Sequence, residues 1–134
     1  MLSLSKAIEA RKKNYYEALK KAQRSNEITP WINYFVKTTL EAQEDAGQLI
    51  NFSMKKAKFF DKFQDKLNER QLKTVKRMLA EGYKGFEGGM NAGKYISLNR
   101  TSKSTATRDL QDLFDKGAFI KKGGGRSTSY LLNL

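Results

Sequence analysis

The pattern from Asn91 to Leu134 restricts the fold more than any other part of the chain. Asn91 stands as a cap before an apolar-punctuated run in which Tyr95, Ile96 and Leu98 are the expected buried residues. Asn and Ser cap helices well because their side-chain oxygens accept the first amide protons, which have no partner inside the helix. Only Asn99-Arg100-Thr101 separates this run from a second cap, Ser102, and a second helix predicted over 103–116. Ala106, Leu110, Leu113 and Phe114 recur there at helical spacing, and Gly117 is placed to end the helix. Phe119 and Ile120 then lead into Lys121-Lys122-Gly123-Gly124-Gly125-Arg126, and Thr128, Tyr130, Leu132 and Leu134 alternate on one face of a strand. Two helices joined by a turn of about three to four residues, followed by a hairpin, specify a winged helix-turn-helix.

The same grammar extends back to Leu67. Asn68 caps a helix whose buried face is Leu72, Val75, Met78 and Leu79, and Gly82 is its expected end. Phe86 to Met90 has the length of a small strand. Residues 67–134 are thus predicted to form the winged domain, with a small β-wing on a mainly α fold.

Residues 1–66 read differently. Leu4 to Arg24 is predicted as one amphipathic helix through Leu4, Ile8, Tyr15 and Leu19, broken at Ser25-Asn26-Glu27. Thr29-Pro30 starts the next, because Thr caps well and Pro is pre-set for the first helical position. Trp31, Phe35, Leu40, Ala42, Ala46, Leu49 and Phe52 form its apolar stripe, running on into Phe59, Phe60 and Phe63, with a bend possible near Gly47 to Ser53. The expectation is a pair of long packed helices. Tyr15-Tyr16 and Trp31 have the composition of a base-stacking platform, but aromatics at helical spacing are core far more often. Lys55, Lys56 and Lys58 read as a solvated face.

Composition excludes several chemistries. With no His and no Cys, a Ser-His-Asp triad, a His-ligated zinc site and thiolate chemistry are all ruled out, and no carboxylate pair sits in an apolar setting. No enzyme activity, metal or cofactor is expected. No run approaches the roughly 20 apolar residues of a membrane-spanning helix, and Met1-Leu2-Ser3-Leu4-Ser5-Lys6 leads into charged residues without the apolar core expected of a signal peptide. A cytoplasmic location without membrane contact is expected.

The chain carries 26 Lys and Arg against 14 Asp and Glu, a net charge of +12 that attracts polyanions. Residues 67–134 hold 13 basic and 6 acidic side chains. The helix predicted over 103–116 begins with Ser102, Lys103, Ser104, Thr105, Thr107 and Arg108, without an acid, and its outward stripe continues to Gln111. These side chains donate to phosphates and base edges, and a recognition helix usually presents its N-terminal end to the bases. Asp109, Asp112 and Asp115 come later, farther from the expected phosphates, with Arg108 and Asp112 spaced to pair along the helix. Lys121, Lys122, Arg126 and Ser127 flank the three Gly of the wing, where the backbone can approach a phosphate closely. A P-loop would need a Lys before its Ser or Thr and a helix after it; here the loop leads into a strand. Double-stranded DNA is the first expected partner, and a protein-interaction role the second.

Leu67-Asn68-Glu69-Arg70-Gln71, Gly88-Gly89, the run Thr105 to Leu113, Gly117, and the run Gly123 to Tyr130 together resemble the C-terminal winged-helix region of bacterial Fic-family proteins (filamentation induced by cAMP). Tyr15-Tyr16-Glu17-Ala18-Leu19 and Ile28-Thr29-Pro30-Trp31 resemble the helical segment that follows their catalytic core. Full-length members move AMP from ATP to a protein hydroxyl with a His-Pro-Phe-x-x-Gly-Asn-Gly-Arg loop. That loop is absent from this sequence, so no catalytic residue carries over. The resemblance implies either a C-terminal piece of such a protein adenylyltransferase or a stand-alone relative of its tail. It also implies an accessory role: DNA binding and transcription regulation, or positioning and restraint of a Fic catalytic domain in cis or trans. Homodimerisation would raise the affinity of so small a DNA-binding unit.

Overall fold

The computed structural model describes residues 4–24 and 27–134 and is mainly helical, with one two-stranded antiparallel sheet. The chain divides into two compact units, Met1–Ile50 and Asn51–Leu134. The division falls inside the longest helix.

In the first unit the helix expected over Leu4 to Arg24 is two, α1 (Leu4–Ala10) and α2 (Lys12–Ala22). Arg11 interrupts them with φ −130° and ψ 36°, and its guanidinium pairs with Glu41. The expected break at Ser25-Asn26-Glu27 falls partly on Ser25 and Asn26, outside the described residues. Helix α3 (Thr29–Phe63) follows and is continuous through Gly47. At its start the carboxylate of Glu27 accepts the Thr29 amide at 2.9 Å. Hydrogen bonds from the Thr29 side chain and backbone hold that carboxyl below its usual range.

Tyr15 meets Trp31 edge-on at 5.4 Å, and Trp31 stacks on Tyr34 at 6.1 Å. Tyr15 and Trp31 are half-buried in this small cluster, as core residues are, while Tyr16 is exposed. The predicted stripe of α3 is buried only in part. Ala42 is buried and Phe52 packs on the core of the second unit, whereas Leu40 and Leu49 are exposed.

The second unit holds a well-packed core. Phe59 and Phe63 from the end of α3 join Val75, Met78, Leu79, Met90, Tyr95, Leu110, Leu113 and Phe119 there. Helix α4 (Glu69–Leu79) starts on a reciprocal cap: the Asn68 side chain accepts from the Gln71 amide, and the Gln71 side chain accepts from the Asn68 amide, both at 2.9 Å. It ends at Leu79 with Ala80 as cap, so Gly82, at φ +75°, opens a separate single turn rather than closing the helix. Leu72, expected in the core, is half-buried; Gln71 and Thr74 are buried instead.

Helix α5 (Ala92–Asn99) starts on Asn91, whose side chain accepts the Lys94 amide at 2.8 Å. Arg100, in the left-handed region at φ 50°, turns the chain sharply into α6 (Lys103–Asp115), capped by Ser102. The end of α6 is a paired 6→1 and 5→2 arrangement. Ala118 donates to the Leu113 carbonyl and Gly117 to that of Phe114, with Gly117 at φ +74°. Strands β1 (Phe119–Lys122) and β2 (Ser129–Leu132) pair in antiparallel register from Phe119↔Leu132 to Lys122↔Ser129. The strand expected over 86–90 is reduced to one bridge between Met90 and Tyr130. Leu134, expected on the inner face of the last strand, is exposed.

Candidate functional site

Two devices fix the orientation of α6. Ala106, Leu110 and Leu113 are buried against the core. Beside them Asp109 is buried as well and collects donors from two other helices. Arg70 Nε donates to it at 2.8 Å and Arg70 Nη2 at 3.3 Å; the Tyr95 hydroxyl donates at 2.9 Å, and Asn68 Nδ2 at 3.3 Å. Burial alone would push this carboxyl up, but the bonds from Arg70 and Tyr95 and the Arg70 charge outweigh it and hold it below the carboxylate range. The same burial, with Asp109 next to it, pushes the Tyr95 phenol well above its ordinary value and keeps it a neutral donor.

Asp109 occupies the place expected for Phe114, which is 39% exposed. The buried arc of the helix is rotated toward the carboxylate because that group finds three polar partners, the buried Tyr95 and the more exposed Arg70 and Asn68.

The opposite face of α6 gathers Lys103, Ser104, Thr107, Arg108 and Gln111 along one open concave surface. Asp112 and Asp115 line the same surface, so those two acids are not set apart from the basic side chains as their later position suggested. Asp112 does not pair with Arg108. It accepts from Gln71 Nε2 at 2.7 Å and from Lys116, and these bonds hold its carboxyl below the usual range. Asp115 accepts from Gln111 Nε2 at 2.8 Å. Ser102 is the cap itself: its Oγ accepts the Thr105 amide at 3.2 Å and donates to Thr105 Oγ1 at 3.0 Å. Ser102 and Thr105 therefore hold the helix end, while Thr107 returns its hydroxyl to the Lys103 carbonyl at 2.9 Å.

The hairpin residues form a second group. Lys122 and Ser127 line a recess of about 320 Å³ together with Gly88, Gly89, Gly123, Ser129 and Leu131. Gly89 is required there: it lies at φ +67°, and a Cβ would come within 2.8 Å of the Tyr130 carbonyl oxygen. Lys121 is exposed on β1 and lines neither surface. The Arg126 side chain lies outside the described part of the structure.

Sequence reasoning missed Arg100, an exposed cation carried by the turn just before α6, and the contribution of Gly88, Gly89 and Ser129 to the recess. The spacing of Asp112 and Asp115 one turn beyond Arg108 and Gln111 was the available signal for their presence on the outer face.

Among the described residues no group of three His, Cys, Asp or Glu side chains is placed to hold a metal ion. Among the same residues no helix is long and apolar enough to cross a membrane. No protein-family model matches the chain, and no curated protein matches it.

Proposed function

We propose that residues 67–134 are a winged helix-turn-helix, with α5 and α6 as the helical pair and the β1–β2 hairpin as the wing, and that the module binds duplex DNA. In this assignment the outer face of α6 lies in the major groove. Ser104, Thr107, Arg108 and Gln111 face the base edges there, while Lys103, Lys121, Lys122, Arg126 and Ser127 meet phosphates, with Arg100 beside them. Ser102 and Thr105 keep the end of the helix formed. The observation that carries the proposal is the exposed outer face of α6, where polar and cationic side chains are presented by a helix held rigidly at both ends. The chain acts as a non-catalytic, cytoplasmic regulatory module, and its resemblance to the tail of Fic-family proteins supports a role beside an AMP-transferring enzyme.

The test is binding to random duplex DNA across a salt series, for the wild type and for Arg108→Ala with Lys122→Ala. Binding whose log K falls steeply with log salt supports the proposal, provided the double variant flattens the slope by about one to two units. Absence of binding near physiological salt, or a slope unchanged in the variant, removes it.

A second function is favoured by one feature of the first unit. Ile32, Val36 and Leu40, one turn apart on α3, are 48%, 59% and 53% exposed. Apolar side chains grouped in this way mark protein-binding surfaces. The partner in this case is a Fic catalytic domain, which the helix positions or restrains. Co-elution of such a domain with the wild type, lost in Val36→Glu, is the expected outcome; co-elution unchanged by the substitution removes it.

A further inference from the structure

Each of the three acids of α6 is bonded to a residue other than Arg108, and this leaves the arginine of that helix without a carboxylate partner. We propose that Arg108 is the residue through which α6 distinguishes guanine from the other bases. The proposal rests on the DNA-binding function above and adds to it the base that is read.

Arg108 is the only arginine of α6, and Lys103 is the helix's only other cation. On a helix, an arginine can pair with a carboxylate one turn away. Asp112 stands at that position, but Lys116 and Gln71 hold it. Asp109, the adjacent residue, is turned into the core and held by Arg70, Tyr95 and Asn68. Asp115 is bonded by Gln111. Among the described residues the Arg108 side chain has neither a hydrogen bond nor an ion pair, and it is exposed on the outer face.

The guanidinium has the geometry the task needs. Its rigid fork matches the two acceptors, O6 and N7, that guanine alone presents side by side in the major groove. A lysine can donate to the same two acceptors, but as a flexible point charge without the rigid fork. The obvious rival is Gln111, since a glutamine pairs in the same two-point manner with adenine. One of its two amide N–H donors is taken by Asp115, so a two-point contact with adenine competes with that bond. The geometry therefore favours guanine readout through Arg108 over adenine readout through Gln111. Fixed partners also keep the acids from swinging toward Arg108 when DNA arrives, because Asp109 and Asp112 are each bonded to a residue of α4 as well.

The experiment is selection of duplexes from a randomised pool by the full chain, followed by binding measurements at one salt concentration. The selected site is compared with versions carrying adenine, or 7-deazaguanine, in place of each invariant guanine. The wild type is expected to lose roughly 5- to 150-fold in affinity at one guanine position, the range of a good two-point contact. Arg108→Ala is expected to bind both versions equally. Arg108→Lys keeps the charge, and so regains overall affinity with a weaker guanine preference than the wild type. A wild type that binds duplex DNA but selects no invariant guanine overturns the proposal and leaves DNA binding in place. The same holds if Arg108→Ala keeps its guanine preference. If the wild type binds no duplex at all, DNA binding itself fails and guanine readout fails with it.

Discussion

Replacing Asp109 by Ala removes the acceptor shared by α4, α5 and α6, and its cost follows from what each donor then does. The Tyr95 side chain is fully buried, and its hydroxyl loses the Asp109 acceptor at 2.9 Å. A buried donor left unsatisfied costs about 1–3 kcal/mol. The Arg70 side chain is 44% exposed, so it turns to water and adds little. Asn68 keeps its capping bond to Gln71, and the bond from Gln71 Nε2 to the backbone carbonyl of residue 109 survives the substitution. With the small cavity included, the expected loss is about 3 kcal/mol. Tyr95→Phe alone removes one bond to a charged acceptor, about 1.5 kcal/mol, and strands no buried donor. In the double variant no hydroxyl is left unsatisfied, so the two penalties should fall short of their sum by about 1 kcal/mol or more. The assay is urea denaturation followed through the NMR cross-peaks of α4 to α6, which report on the second unit alone. Penalties that add to within about 0.5 kcal/mol would refute the shared-acceptor account, as would a loss below about 1 kcal/mol for Asp109→Ala.

Three further outcomes follow from particular positions. Gly47→Ala lies inside α3 with no atom within 4 Å of the added Cβ, and should stabilise the chain by about 1 kcal/mol in a thermal melt. Gly88 and Gly89 share φ +67°, but an added Cβ meets only the end of the Lys94 side chain at 3.4 Å in the first and the Tyr130 carbonyl at 2.8 Å in the second. Gly88→Ala should thus cost about 1–2 kcal/mol, and Gly89→Ala clearly more. The carboxyls of Asp109 and Asp112 are held below their ordinary range in the folded chain. Their contribution to stability is complete above the unfolded value near about pH 4 and is lost as pH falls through the lower folded values. Urea midpoints measured from pH 5 downward should fall accordingly, with a smaller drop in Asp109→Asn.

What was legible in the amino-acid order was local. Asn68, Asn91 and Ser102 announce their helices because a cap bonds an amide only three residues on, and Gly117 announces a helix end for the same reason. The outer face of α6 was legible as the complement of Ala106, Leu110 and Leu113. Their arc has two edges, Phe114 and Asp109, and hydrophobicity alone selects Phe114. The choice goes the other way because Arg70, 39 positions upstream at the surface, and the buried Tyr95 both donate to Asp109. The burial of Gln71 has the same origin. The recess beside Lys122 needs the Met90–Tyr130 bridge, which joins segments that no short-range signal connects. The interruption at Arg11 lies among good helix formers, and nothing in their propensities marks it.

The double engagement of Gln71 sets the order in which this part of the molecule can come apart. Its side chain closes the first turn of α4 and reaches both the Asp109 carbonyl, at 3.1 Å, and the Asp112 carboxylate, at 2.7 Å. First turns normally fray, and their amides exchange with solvent through small local openings. Here the Asn68 amide can be freed only if the Gln71 side chain lets go, and that side chain is anchored on α6. Deuterium should therefore enter the Asn68 and Gln71 amides at the rate of the α6 core, far more slowly than the unbonded amides of Glu69 and Arg70 between them.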